Sequence, residues 1–187
     1  MRRSTKNLTM AALFLALGLL LPSITGHIQQ IGNMLLPMHL PVMLCGLVCG
    51  PVWGTAVGAV TPLLRSFLFG MPPFYPTAFA MAFELCTYGL VIGFLYQRSR
   101  WKCIRAVFRS LVIAMIAGRL VWGVVRVIQT GVAGSAFTWQ MFLAGAVLNA
   151  IPGIVLQLIL VPTLMVALGR AKLIPELERD PNGVNEG

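Results

Sequence analysis

The stretch from Thr77 to Tyr96, TAFAMAFELCTYGLVIGFLY, decides the fold class of this chain. It contains a single charged residue, Glu84. A helix needs about 20 mostly apolar residues to cross the hydrocarbon core of a bilayer, so this segment predicts a membrane-spanning helix. Longer runs without Asp, Glu, Lys or Arg extend from Asn7 to Leu64 and from Val127 to Gly169. With 58% hydrophobic and 10% charged residues, the chain cannot be a soluble globule.

Proline and glycine residues divide the rest of the chain into further apolar segments. With the first stretch they give six candidate spans, at about residues 8–25, 34–50, 52–69, 77–96, 106–130 and 139–168. The first span begins like a signal peptide, but Ser23 to Gly26 form a poor cleavage site, so we expect it to be retained. We predict an all-α membrane protein, a compact bundle of six transmembrane helices in one domain (residues 1–187), with a polar tail at 175–187.

The basic residues of the loops and termini lie on one side of this predicted topology. They occur in the first six residues, in the loop from Arg98 to Arg105, and after the last span. The opposite loops, at 22–33, 70–76 and 131–138, contain none. The positive-inside rule therefore predicts that both termini are cytoplasmic. The net charge of +9 is not arranged as a nucleic-acid-binding surface, and we expect no nucleic-acid partner.

Four charged residues fall in the outer half of the spans or near the midplane, and ionisable residues at membrane depth are functional candidates by default. Glu84 is the one acid before Glu176, and Arg65, Arg119 and Arg126 are predicted in the same outer layer. Glu84 can pair structurally with one or two of these arginines. Arg65 and Arg126 can also extend to the membrane interface. One pair would still leave surplus positive charge, which indicates a ligand with an anionic group.

Neutral polar and aromatic side chains near this layer complete the predicted binding site. A histidine beside proline is often a helix-end residue, and an asparagine in a span can be an interhelical hydrogen-bonding group, so both readings stay open for His39 and Asn149. The predicted substrate-binding residues are Asn33, His39, Arg65, Tyr75, Phe79, Glu84, Arg119, Trp122, Arg126 and Asn149.

The sequence contains no convincing catalytic or metal site. Cys45 and Cys49 are one helical turn apart, but no second pair completes a four-ligand set. A P-loop, a dinucleotide fingerprint, a Ser/His/Asp set and a second carboxylate for a paired-carboxylate site are all missing. We therefore expect a protein that is not an enzyme and has no cofactor or metal. A self-sufficient, proton-coupled secondary transporter that uses a Glu84–Arg119 pair is an alternative.

Two small-residue patterns are typical of close helix packing in membranes. The first helix carries Ala12 and Ala16, and the joint of spans two and three carries Gly50, Pro51, Gly54 and Gly58. Together with the size, the six spans, the Pro-rich loop at 70–76 and the segment from Met81 to Glu84, these patterns resemble the substrate-binding S components of energy-coupling factor (ECF) transporters.

The resemblance implies a high-affinity substrate-binding subunit of an ECF-type ABC importer in a prokaryotic cell membrane. Such a subunit captures a vitamin or related micronutrient from outside and topples in the membrane when it delivers the ligand. Its partners would be a transmembrane coupling protein and two ATPases, with Ala12 and Ala16 as partner contacts. We recognise no riboflavin, thiamine or biotin pattern, so pantothenate, folate, a vitamin B6 form and a lipoate-like acid stay open as ligands.

Overall fold

The computed structural model describes residues 3–25, 37–132 and 151–174, and all regular structure in these ranges is helical. A helical turn with one extended residue, Tyr75, spans Phe74–Ala78 and leads directly into the fourth helix. The helices are α1 (Arg3–Thr25), α2 (His39–Cys49), α3 (Pro51–Phe69), α4 (Phe79–Arg98), α5 (Ile104–Val132) and α6 (Ile151–Arg170).

Five of the six described helices are long and apolar enough to cross a membrane, and α2 is the exception. Its 11 residues correspond to about 16 Å of helix, roughly half of a bilayer core. The predicted second span at 34–50 is therefore shorter in the described residues, where a turn at Pro37 and Met38 precedes the helix. Because α5 has 29 residues, it extends beyond both ends of its predicted span. The predicted start of the sixth span, at 139–150, lies outside the described residues.

Glycine and proline set the sharp turns between neighbouring helices. Gly50 adopts a φ of +95°, and Pro51 follows it as the first residue of α3, so α2 and α3 form an antiparallel pair with almost no loop. Gly70 ends α3 in the left-handed region, where its N–H donates to the carbonyl oxygen of Ser66 at 2.9 Å. The Nζ atom of Lys102 donates to the last carbonyl groups of α4, at Tyr96 and Gln97.

Helices α2, α3 and α4 approach one another at glycine residues. A Cβ atom on Gly54 would lie 2.6 Å from the Cα of Gly46 and 2.9 Å from the carbonyl oxygen of Gly89. A Cβ on Gly58 would overlap the backbone at Leu85. These contacts involve backbone atoms, which cannot rotate away, so small residues are required here. The glycine pattern at the start of α3 therefore serves packing inside this chain.

The two ends of the bundle have different chemistry. We call the end that holds the loop Arg98–Arg105 the basic end, and the end that holds Gly70–Pro76 the Pro-rich end. Lys6 in α1 donates to the carbonyl oxygen of Leu173, just after α6, at 3.2 Å. Arg65, near the Pro-rich end of α3, donates to Leu19 and Ser23 near the end of α1, so the first turns of α1, and with them Leu173 after α6, lie toward the basic end.

Candidate functional site

The one carboxylate among the described residues, Glu84, lies in the interior with three partners. Its side chain is 2% exposed. Arg119 approaches with Nη1 at 3.0 Å from Glu84 Oε1, and the Tyr88 hydroxyl donates to the same oxygen at 2.8 Å. His39 Nε2 lies 3.5 Å from it. We call these four residues the Glu84 cluster. An arginine and a hydroxyl donor offset much of the cost of burying the carboxylate.

The Glu84 cluster joins three helices, because its residues come from α2, α4 and α5. Tyr88 is one turn after Glu84 on α4, so both side chains lie on the same face of that helix. His39 is the first residue of α2, and its ring centroid lies 5.4 Å from that of Tyr88. Gly118 of α5 permits this arrangement, since a Cβ there would overlap the Tyr88 ring. Its neighbour Arg119 thereby comes close enough to reach Glu84.

A polar face of α5 leads from this cluster toward the Pro-rich end. It consists of Arg119, Trp122, Arg126 and Gln129, spaced by three or four residues, and we call it the α5 stripe. The Arg126 guanidinium lies 6.0 Å from the Trp122 ring centroid, and Gln129 Nε2 donates to the carbonyl oxygen of Pro76 at 3.0 Å. Arg119 and Arg126 are separated by about 10 Å along the helix axis.

Several buried polar atoms near this face lack a hydrogen-bond partner in the part of the chain that the structure describes. On the α5 stripe these are the Nε atoms of Arg119 and Arg126 and the Oε1 atom of Gln129. In the adjoining Glu84 cluster, Nδ1 of His39 also lacks one. Buried polar groups normally find partners, so this concentration is typical of a site that binds a polar molecule.

The charges of the site do not balance. Arg119 is paired with Glu84, whereas Arg126 has only the Trp122 ring as a described charge-stabilising contact. Because Glu84 is the one carboxylate in residues 3–25, 37–132 and 151–174, a net positive charge stays on the α5 stripe. This face can therefore attract and hold an anionic group.

The comparison with protein families agrees with this architecture. The family model described as ECF transporter, substrate-specific component, matches residues 6–165. The chain belongs to this family. It is thus a substrate-specific transporter component, an S component, and the expected resemblance is confirmed. No curated protein and no solved structure matches the chain.

In this S component the predicted site residues fall into separate groups. His39, Glu84 and Arg119 meet in one cluster, and Trp122 and Arg126 lie along the α5 stripe that begins there. Tyr75 and Phe79 are at the Pro-rich end and are more than a third exposed, and Phe79 packs on Phe83 with ring centroids 5.1 Å apart. Asn33 and Asn149 lie outside the described residues.

Arg65 has partners of its own, away from these groups. Its Nη1 donates to the carbonyl oxygen of Leu19 and, at 3.1 Å, to Ser23 Oγ. Its guanidinium also lies 5.0 Å from the Phe69 ring centroid. These contacts tie α3 to the last turns of α1 and satisfy much of the guanidinium with neutral groups. A substrate-binding role for Arg65 stays a prediction.

Two residues that contact the site were not in the predicted set. Tyr88 could have been found from its position, four residues after a lone intramembrane carboxylate and on the same helical face. Gln129 follows Arg126 by three residues and so continues the polar face. Gln157 is also buried, on α6, with an Nε2 that lacks a hydrogen-bond partner among the described residues, but it has no described contact with the cluster.

The predicted partner contacts lie on a different surface of the S component. Ala12 and Ala16 are exposed on α1, while Ala11 and Phe14 on the opposite side of that helix are buried. The two alanines therefore give α1 an exposed face with small side chains. The glycines of α3, in contrast, pack against other helices of the same chain.

Loss of the Tyr88 hydroxyl tests the Glu84 cluster. We expect Tyr88→Phe to lower the free energy of unfolding in detergent by about 1 to 3 kcal/mol, because it removes a donor from a buried carboxylate. Tyr75→Phe is the matched control, since that tyrosine is exposed, and should change the value by less than about 0.5 kcal/mol. Equal stability of Tyr88→Phe and the wild type would show that the hydroxyl does not stabilise Glu84.

Proposed function

We propose that this S component captures a small, anionic, vitamin-like compound on the α5 stripe and is not itself an enzyme. The observation that carries the proposal is the guanidinium of Arg126, which lies beside Trp122 and has no carboxylate partner among the described residues. A guanidinium binds a carboxylate or phosphate through two parallel hydrogen bonds. An aromatic wall supplies burial for the rest of a small ligand.

The two arginines of the stripe have different roles in this proposal. Arg119 Nη1 lies 3.0 Å from Glu84 Oε1, so the carboxylate of Glu84 neutralises the charge of Arg119. Arg126 supplies the charge for the ligand, and its buried Nε atom, which has no hydrogen-bond partner among the described residues, favours a ligand with hydrogen-bond acceptors. Tyr75 and Phe79 at the Pro-rich end, together with Asn33 and Asn149, stay candidates for the rest of the ligand.

We also propose the orientation and the partners of the subunit. The basic loop at Arg98–Arg105, with Lys6 and Arg170 at the same end of the bundle, favours a cytoplasmic basic end. The Pro-rich end then faces outward in a prokaryotic cell membrane. Delivery of the ligand would require association with an ECF transmembrane coupling protein and two ATPase subunits, and the exposed Ala12 and Ala16 are the proposed contacts.

Ligand retention by the purified subunit tests the binding function. We expect native mass spectrometry of the wild-type protein, prepared from cells grown in rich medium, to detect one small anionic molecule per chain. Arg126→Gln should weaken retention at least about tenfold, because it removes a charged hydrogen-bonding group. Arg98→Gln is the matched control, since Arg98 is exposed at the basic end and should leave retention unchanged.

Three outcomes would contradict this function. They are a wild-type protein that neither retains nor binds an anionic compound, a retained compound that is cationic, and retention unaffected by Arg126→Gln. Correct folding of Arg126→Gln is checked by its unfolding temperature, so that a loss of ligand is not confused with a loss of structure.

The proposed partner surface is tested by enlarging the exposed alanines. We expect Ala12→Trp and Ala16→Trp to abolish ATP-dependent uptake with the coupling module, because an indole prevents close approach of a partner helix. Ligand retention by the solitary subunit should persist. Ala167→Trp on the exposed face of α6 is the control and should preserve uptake. Loss of retention in Ala16→Trp would instead identify an internal packing residue.

The 3.0 Å Arg119–Glu84 pair favours one other function, a self-sufficient proton-coupled transporter. That function requires transport into liposomes without ATPases and loss of its pH dependence in Glu84→Gln. Transport that needs the coupling module supports the S-component function, and transport without it supports the alternative.

A further inference from the structure

Gln129 places a hydrogen-bond acceptor at the outer end of the α5 stripe. Its side chain is 6% exposed, and its Nε2 donates to the carbonyl oxygen of Pro76 at 3.0 Å. A carbonyl oxygen only accepts hydrogen bonds, so this contact fixes which side of the Gln129 amide carries the nitrogen. The Oε1 atom therefore lies on the other side of the amide, where it has no hydrogen-bond partner among the described residues.

A cationic donor lies beside this acceptor on the same face of α5. Arg126 precedes Gln129 by three residues, a spacing that brings side chains within about 5 to 6 Å of each other at their β-carbons. The buried Nε atom of Arg126 also has no hydrogen-bond partner among the described residues, so the guanidinium and the amide oxygen do not satisfy each other. The stripe thus presents a positively charged donor and a neutral acceptor side by side.

An anion alone would satisfy only half of this pair. A carboxylate or phosphate accepts hydrogen bonds from Arg126 but offers no hydrogen to Gln129 Oε1. Buried polar atoms normally have a partner, and leaving an acceptor unpaired beside a bound molecule costs binding free energy. The complementary molecule has an acceptor group with negative charge and, next to it, a hydroxyl or N–H group that donates.

We propose that Gln129 selects ligands that carry a hydroxyl or N–H group beside their anionic group. This inference rests on the proposed function and narrows its ligand class. The anionic group binds Arg126, and the neighbouring hydroxyl or N–H donates to Gln129 Oε1. Hydroxy acids and N-acylated amino acids have this chemistry, whereas a lipoate-like acid lacks the donor.

The compound that the purified wild-type protein retains is the probe. It is released by denaturation and identified by its mass, its fragment spectrum and the number of its hydrogens that exchange in D2O. We expect an acid with a hydroxyl or N–H group near the anionic group. This group is then methylated, and binding of both forms to protein freed of ligand is compared by native mass spectrometry. The wild type should bind the methylated form at least about tenfold more weakly, because Gln129 Oε1 is then left without a donor.

The variant Gln129→Met removes the acceptor and keeps a side chain of similar length. We expect it to bind the two forms within about twofold of each other. Loss of the Pro76 contact alone would weaken both forms alike and preserve their ratio, so the ratio separates recognition from a merely structural role. Gln97→Met, at an exposed position of the basic end, is the matched control and should keep the wild-type ratio. Unfolding temperatures check that both variants are folded.

The results that overturn this inference differ from those that overturn the proposed function. A retained acid without a hydroxyl or N–H group near its anionic group, equal binding of the two forms by the wild type, or a wild-type ratio in Gln129→Met contradicts the role of Gln129 and leaves the anion-binding function intact. A wild-type protein that retains no anionic compound contradicts the proposed function, and this inference with it.

Discussion

A single carboxylate inside an apolar bundle needs partners, and this requirement organises the centre of the molecule. Glu84 is reached by Arg119 from α5, by Tyr88 from its own helix and by His39 from the start of α2. An unpaired buried carboxylate would be strongly destabilising. The relative positions of α2, α4 and α5 are therefore linked to one oxygen atom, Glu84 Oε1.

The Glu84 cluster depends on close packing of the helix backbones near it. Gly46, Gly54 and Gly89 let α2, α3 and α4 approach until a side chain would not fit between them, and Gly118 provides the space for the Tyr88 ring. The pairing of Arg119 with Glu84 in turn separates the roles of the arginines. Glu84 balances the charge of Arg119 at the centre, whereas Arg126, toward the Pro-rich end, has no carboxylate partner among the described residues and is the residue that we propose for ligand binding.

Much of the fold followed from the sequence because membrane-spanning helices are defined by length and hydropathy. The all-helical fold was predicted correctly, but helix α2 is shorter than its predicted span. Its apolar sequence continues through Pro37 and Met38, where the described chain forms a turn, and hydropathy does not detect such a boundary.

The site was predictable in part, for a related physical reason. The scarcity of acid in the sequence indicates that Glu84 must have a partner, and Arg119 is that partner. Sequence could not distinguish Arg119 from Arg65, because the choice depends on which helices are neighbours. Arg65 lies against the end of α1, where the carbonyl oxygen of Leu19 and Ser23 Oγ accept its hydrogen bonds.

Arg119 pairs with Glu84 at 3.0 Å, and this pair should stabilise the bundle. A double-mutant cycle of Glu84→Gln and Arg119→Gln, with the free energy of unfolding measured in detergent, tests it most directly. We expect the double variant to be less destabilised than the sum of the single variants, with a coupling energy of about 1 to 3 kcal/mol. Additive effects, within about 0.5 kcal/mol, would contradict it.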